Sequence, residues 1–386
     1  MKVAVVYDFI PHYRGAVMKC LDRRGAHEYA FFASAVTVRP GIRAMDVSAL
    51  RDFRHTPGRY LAGRFLVQRR LMGLALGREF GAIIFLANPY FLTTWLAAAL
   101  ARLSGKRVLF WTHGWLREES GLKGLTRHVF YKLAHALLLY GDRAKAIGEA
   151  GGFRSENLYP IYNSLDFDAQ MDARKGVAGD DASELRQKWF GDAATPVVVC
   201  SARLIPACRF DLLVEALARL GESGHTVNLL LIGDGPERAA LATQAASRNV
   251  KITFAGECYD EMTLCRWLSA ADVTVSPGKV GLTAMQSLAF GVPVVTHDDF
   301  GSQMPEAEVI RPGVNGDLFR KDDIDDLARV IRKWTPSPLP RDAVARACID
   351  SLIPKYTPQG QVVEIERAID GAAPSLAWRH ETHFIN

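Results

Sequence analysis

Ser276-Pro277-Gly278-Lys279-Val280-Gly281-Leu282-Thr283-Ala284-Met285-Gln286-Ser287-Leu288-Ala289-Phe290-Gly291-Val292-Pro293-Val294-Val295-Thr296 reads as a strand ending in a glycine-containing loop, a helix from about Thr283 to Phe290, a glycine stop and a second apolar strand. The first N–H groups of a helix have no partner inside it, so such a junction can hold an anion with help from the helix dipole. Gly278 and Gly281 let the backbone come close to a ligand, and Lys279 adds a positive charge beside them. The same pattern also suits an ordinary strand-loop-helix-strand unit of a parallel sheet, because glycine is common at these turns.

Working outward, strands are expected at Pro196 to Ser201, Val227 to Ile232, Lys251 to Ala255, Val273 to Ser276 and Val292 to Thr296. Helical patterns lie between them at Asp211 to Leu220, Pro236 to Ser247, Asp260 to Ser269 and Thr283 to Phe290. The N-terminal half follows the same plan, with strands at Val3 to Tyr7, Ala82 to Leu86 and Arg107 to Trp111. Each is followed by a loop: Phe9 to Gly15, Asn88-Pro89, and Thr112-His113-Gly114-Trp115. Strands alternating with helices predict parallel sheets covered on both faces, with ligands at the carboxyl ends of the strands.

A chain of 386 residues, 49% hydrophobic and 23% charged, is long enough for two folded domains. The first is expected over 1–165 and the second over 166–350, after polar residues and the run Lys175 to Asp181 interrupt the apolar pattern. The proline-rich break Pro336 to Pro340 precedes a C-terminal helical region, 351–386, expected to fold back on the first domain. The cysteines at 20, 200, 208, 258, 265 and 348 have neither the spacing of a zinc site nor that of a disulfide framework. A reducing cytoplasm is the natural setting. Met1-Lys2 leads directly into a short strand pattern, so no secretory leader is expected, and no apolar run is long enough to span a bilayer.

The net charge of +5 is unevenly placed. From Arg51 to Arg78, arginines at 51, 54, 59, 64, 69, 70 and 78 face a single Asp52 and alternate with apolar residues; Glu79 follows. Such a segment is either an anionic-membrane contact or a solvated helix face with its apolar side in the core. Nucleic acid is not expected, since no binding motif accompanies the arginines.

Several motifs in order then resemble a known family. Arg203-Leu204-Ile205-Pro206, Phe210-Asp211-Leu212-Leu213, Gly233-Asp234-Gly235-Pro236, Phe254-Ala255-Gly256, Gly281-Leu282-Thr283 and Gly291-Val292-Pro293 follow the pattern of the glycogen-synthase-like, group 1 retaining glycosyltransferases. Pro312-Gly313-Val314-Asn315-Gly316 resembles a further turn of that family. The resemblance covers about residues 196 to 334. It implies the GT-B fold, an α/β arrangement of two Rossmann-like parallel-sheet domains facing a cleft, with a nucleotide-diphospho-sugar held by the second domain.

On that resemblance, Arg203 binds phosphate, and Gly281, Leu282 and Thr283 cradle the leaving diphosphate. Gly233, Asp234 and Gly256 approach the nucleotide, and His113 approaches the transferred sugar. Departures are visible as well. Aligned on Gly281-Leu282 and Gly291-Val292-Pro293, Gly278 and Gln286 stand where the family has two glutamates, and Cys208 where it has a phosphate-binding lysine. Gln286 can still meet ribose hydroxyls through its amide, and Arg209 or Lys279 is expected to supply the missing charge. His12, Tyr13 and Arg14 are either acceptor or phosphate contacts, or an ordinary helix start.

The expectation is therefore a retaining glycosyltransferase using a UDP- or GDP-linked sugar, with a glycan or lipid-linked acceptor, in bacterial surface polysaccharide synthesis. It would work in the cytoplasm or peripherally on the inner membrane face. No metal or other cofactor is implied, as no Asp-x-Asp sequence occurs. The alternative is a catalytically inactive nucleotide-sugar-binding protein of the same fold acting as partner or regulator. A GT-B epimerase ranks below both for want of an acid/base carboxylate pair, and an oxidoreductase lacks its Gly-x-Gly-x-x-Gly.

Overall fold

The computed structural model describes residues 1–37, 42–177, 181–337 and 339–375. Part of the Lys175 to Asp181 interruption, Pro338 of the proline break and the end of the C-terminal region from 376 onward lie outside the described residues. The chain divides into two compact units, Met1–Asp166 with the segment from Pro354 onward, and Phe167–Ile353.

The first unit is built on β1 (Lys2–Phe9), β2 (Glu28–Ser34), β3 (Phe53–His55), a hairpin of β4 (Gly58–Leu61) and β5 (Phe65–Gln68), then β6 (Ala82–Leu86), β7 (Arg107–Thr112), β8 (Ala136–Leu139) and β9 (Leu158–Pro160). Its main sheet is parallel, in the order β3-β2-β1-β6-β7-β8-β9. Side chains alternate across a strand, so β1 serves two cores at once. Val3, Val5 and Tyr7 join the helices Gly15–Arg24 and Pro358–Asp370 on one face, while Ala4 and Val6 join Ala75, Ala97, Ala98 and Phe130 on the other.

The C-terminal helix is set by its own sequence. Thr357 caps it by accepting from Gly360 N at 3.1 Å, Pro358 occupies a first-turn position, and Gly371 stops it at φ +73°. It buries Val362, Ile365, Ala368 and Ile369, and Gln361 donates to the Tyr162 carbonyl at 2.8 Å while accepting from Ser164 Oγ at 2.7 Å.

The second unit carries β10 (Val197–Ser201), β11 (Asn228–Ile232), β12 (Ile252–Gly256), β13 (Val273–Ser276), β14 (Val294–His297) and β15 (Gly316–Phe319). All pair in parallel, in the order β12-β11-β10-β13-β14-β15. The chain runs outward from β10 through β11 to β12, then returns to β13 on the opposite side. That reversal is a topological switch point, where the loops after β10 and β13 diverge and leave room for a ligand.

One expectation needs correction. Arg51 to Arg78 does not form a single amphipathic segment: it contains β3, the antiparallel hairpin β4–β5 and a six-residue helix, Leu71–Leu76. Arg54 is neutralised by Asp52 at 2.8 Å and Glu79 at 2.5 Å, while Leu66 and Leu71 are buried. Alternation in a hairpin and periodicity in a short helix, read together, had imitated one basic helix.

Candidate nucleotide-sugar site

Four strand ends of the second unit are knitted together by backbone. Ala202 N donates to Ile232 O at 3.0 Å, Leu204 N to Asp234 O at 3.0 Å, Gly233 N to Gly256 O at 2.8 Å, and Gly278 N to Cys208 O at 3.0 Å. The loops after β10, β11, β12 and β13 thus share one edge of the sheet, and Arg203 stands among them. Two glycines make this closeness geometrically available. A Cβ on Gly233, at φ +139°, would lie 2.1 Å from Ala202 O, and one on Gly278 would lie 2.1 Å from Ala207 O. Gly278, the position where the resemblance expects a glutamate, has no room for a side chain, because the turn Pro206–Cys208 occupies that space.

The helix after β13 spans Leu282–Ala289, and no side chain caps its N-terminus at Gly281. Thr283 is anchored, its hydroxyl donating to Ser201 O at 2.6 Å, so the first helical turn is tied to the end of β10 across the switch point. Gln286 lies one turn further along and is half-buried. The loop before the helix has a support that sequence reading missed. Gln303, 2% exposed, accepts from Val280 N at 2.8 Å and donates to Thr296 Oγ1 at 2.8 Å and His297 O at 3.0 Å. It lies in a polar loop after β14, with no local pattern that marks it.

The basic residues at this edge differ in availability. Arg209 sits at φ +52° and bonds Asp211 at 3.1 Å and Asp322 at 2.5 Å, so its charge is already shared with two carboxylates. Arg203 and Lys279 are exposed and, among the described residues, form no ion pair. Lys279 is close enough to the Cys208 thiol to oppose the burial that pushes that thiol up. Asp234 accepts from Gly235 N at 2.8 Å, which fixes the Gly233-Asp234-Gly235 turn.

His113 belongs to the first unit, immediately after β7. The backbone around it is held by Thr112 and Arg127: Gly114 N donates to Thr112 Oγ1 at 3.2 Å, and Arg127 donates to Gly114 O at 2.7 Å. The imidazole meets Tyr140 edge to face at 4.6 Å, and Arg14 lies over the Tyr140 ring at 4.5 Å. Arg14 is buried and donates to Asn163 Oδ1 at 2.6 Å. His113 as a whole residue is exposed, yet loss of solvation around its imidazole pushes the pKa down to about 4, with Arg14 and Arg127 adding to the effect. Histidine 113 is therefore neutral at pH 7, and among the described residues no hydrogen bond occupies its ring nitrogens.

Comparison with known proteins bears on this arrangement. Residues 181–348 match the sequence model of the family described as Glycosyl transferases group 1. The GDP-mannose-dependent monoacylated alpha-(1-6)-phosphatidylinositol monomannoside mannosyltransferase of Corynebacterium glutamicum is 24% identical over 200 residues, 49% of this chain and 51% of that protein. The lipopolysaccharide core biosynthesis glycosyltransferase LpsE of Rhizobium meliloti is 31% identical over 177 residues, 45% of this chain and 49% of that one. The chain thus spans about half the length of these curated relatives. Anabaena HepE, solved in complex with UDP, superposes with a TM-score of 0.72 over 96% of this chain and 100% of that one at 16% identity. The lipopolysaccharide outer core galactosyltransferase WaaB gives 0.69 over 96% and 99% at 15% identity. These two likenesses concern the fold, which is GT-B. The sequence likeness to the glycosyl transferases group 1 family thus lies within the second unit, over residues 181–348.

Proposed function

We propose that the chain transfers a sugar from a UDP- or GDP-linked donor to a glycan or lipid-linked acceptor, with retention at the anomeric carbon. The observation that carries this reading is the gathering of Arg203, Lys279 and the uncapped helix start Gly281–Thr283 at the switch point of the second unit. Breaking the bond between the anomeric carbon and the diphosphate leaves negative charge on the phosphate. Charge held in place by preorganised donors is the largest single aid to such a step. Arg203 offers a planar fork to two phosphate oxygens, the helix N–H groups offer aligned dipoles, and Lys279 offers a mobile charge in place of the lysine that Cys208 replaces.

The acceptor oxygen bonds to the anomeric carbon as the bond to phosphate breaks, and its proton passes to the departing phosphate. A protein carboxylate beside the sugar is then not required, which accommodates Gly278. His113, neutral at pH 7, is assigned a hydrogen bond to a sugar hydroxyl, and Gln286 a contact with the ribose. Relatives named for phosphatidylinositol mannosides and for lipopolysaccharide core favour a membrane-borne acceptor in bacterial surface glycan synthesis, with the protein peripheral to the cytoplasmic membrane.

Release of UDP or GDP from a panel of nucleotide sugars tests this reading. Turnover is expected with at least one donor, and Arg203→Ala is expected to lower it by about 100-fold or more with little change in unfolding midpoint. Unchanged turnover in that variant would remove Arg203 from its role. The absence of a carboxylate at 278 supports a second reading, a nucleotide-sugar-binding protein without turnover. Stabilisation by nucleotide with no release from any donor would select it.

A further inference from the structure

The helices Leu71–Leu76, Leu92–Leu103 and Gly121–Lys132 cover one face of the first unit's sheet with inward residues such as Ala97, Ala98 and Phe130. Their outward sides are not polar. Leu92, Leu96 and Leu103 are 44%, 55% and 86% exposed, and Leu122, Leu125 and Val129 are 80%, 59% and 48% exposed. The spacings i, i+4, i+11 and i, i+3, i+7 place each triplet on one side of its helix. The two longer helices lie together: the Trp95 and Phe130 rings are 4.7 Å apart, and Arg102 donates to the carbonyls of Lys132, Leu133 and Ala134 at 3.0, 3.2 and 3.2 Å. The six side chains therefore lie on the outer sides of two neighbouring helices, and exposed apolar surface gathered in this way marks a contact site.

Charge selects the occupant. None of the three helices contains Asp or Glu, while they carry Arg102, Lys123, Arg127 and Lys132. Glu119, just before the third helix, is held by Lys123 at 3.0 Å and Arg127 at 2.8 Å. Arg69 and Arg70 are exposed at the start of the first helix, and Gln68 N donating to Thr93 Oγ1 at 3.1 Å places them beside the start of Leu92–Leu103. A second copy of the same face would set cations against cations. A surface offering anionic headgroups above hydrocarbon satisfies both the basic rim and the aliphatic centre.

We propose that the outer face of Leu92–Leu103 and Gly121–Lys132 seats the protein on an anionic lipid surface, with Leu96 and Leu125 inserted and Arg69 and Arg70 on the headgroups. This surface differs from the Arg51 to Arg78 segment, which contributes only that arginine pair. It extends the reading of a membrane-borne acceptor, but lipid binding is measured without turnover, so either can fail alone.

Sedimentation of the full chain with phosphatidylcholine vesicles, with and without phosphatidylglycerol, tests it. Binding is expected with phosphatidylglycerol and much less without it, weakening as salt rises. Leu96→Glu with Leu125→Glu should weaken it by about tenfold or more, and Leu96→Gln with Leu122→Gln, closer in volume, should weaken it to a lesser degree. Arg69→Glu with Arg70→Glu should also weaken it and blunt its salt dependence. All three variants should keep the parent's unfolding midpoint, because the positions are exposed. Failure to bind anionic vesicles, undiminished binding by the leucine variants, or a dimer that those variants dissolve would each overturn the proposal.

Discussion

At the scale of single residues, Gly278 shows how a missing side chain can be a packing requirement. Restoring a carboxylate with Gly278→Glu is expected to destabilise the protein by about 1–3 kcal/mol, because Ala207 O stands 2.1 Å from the new Cβ; urea unfolding measures this, and a variant that is both stable and faster would refute it. Gln303→Leu should cost about 1–3 kcal/mol by leaving Val280 N buried without its acceptor, read from the same unfolding curves. His113 makes a pH-dependent contribution. Its folded pKa of about 4 lies below the ordinary 6.5, so between those values the unfolded chain binds a proton that the folded chain does not. Its contribution to stability is level above pH 6.5 and falls as pH drops toward 4. His113→Gln should flatten that part of the stability profile, and an imidazole titrating near 6.5 by NMR would contradict the assignment. The absence of the glutamate was legible in the sequence, but its cause was not, since Ala207 and Gly278 are distant along the chain.

At the scale of elements, the site is an interlocking of loops. Thr283→Val removes the 2.6 Å bond to Ser201 O and should cost about 1 kcal/mol. It should also weaken nucleotide-dependent stabilisation, because the helix start loses its tie to β10; an unchanged thermal shift would show that the tie is dispensable. Strand Val273–Ser276 was legible to the residue, because Val273 and Val275 stand in a short apolar run bounded by Asp272 and Pro277. β8 was not. Ala136-Leu137-Leu138-Leu139 has the composition of a helix, and it is a strand because β7 and β9 pair with it on both sides. The hairpin β4–β5 was hidden for a related reason, as its arginines and aromatic residues carry two periodicities at once.

At the scale of the whole molecule, two α/β units were visible in the alternation of strands and helices, because buried parallel strands read as continuous apolar runs. The return of the chain to the first unit depends on the face of Pro358–Asp370 that buries Val362, Ile365 and Ile369. Ile365→Ala should cost about 2–5 kcal/mol, with the loss confined to the unfolding transition of the first unit when probed by hydrogen exchange; equal loss in both units would contradict that division. The central claim concerns the second unit, that Arg203 and the start of Leu282–Ala289 hold a nucleoside diphosphate. Thermal unfolding of the full chain and of Arg203→Ala, each with UDP and with GDP, tests it directly. One of the two nucleotides is expected to raise the midpoint of the parent by several degrees and to leave Arg203→Ala nearly unmoved. No shift with either nucleotide, or an equal shift in the variant, would contradict it.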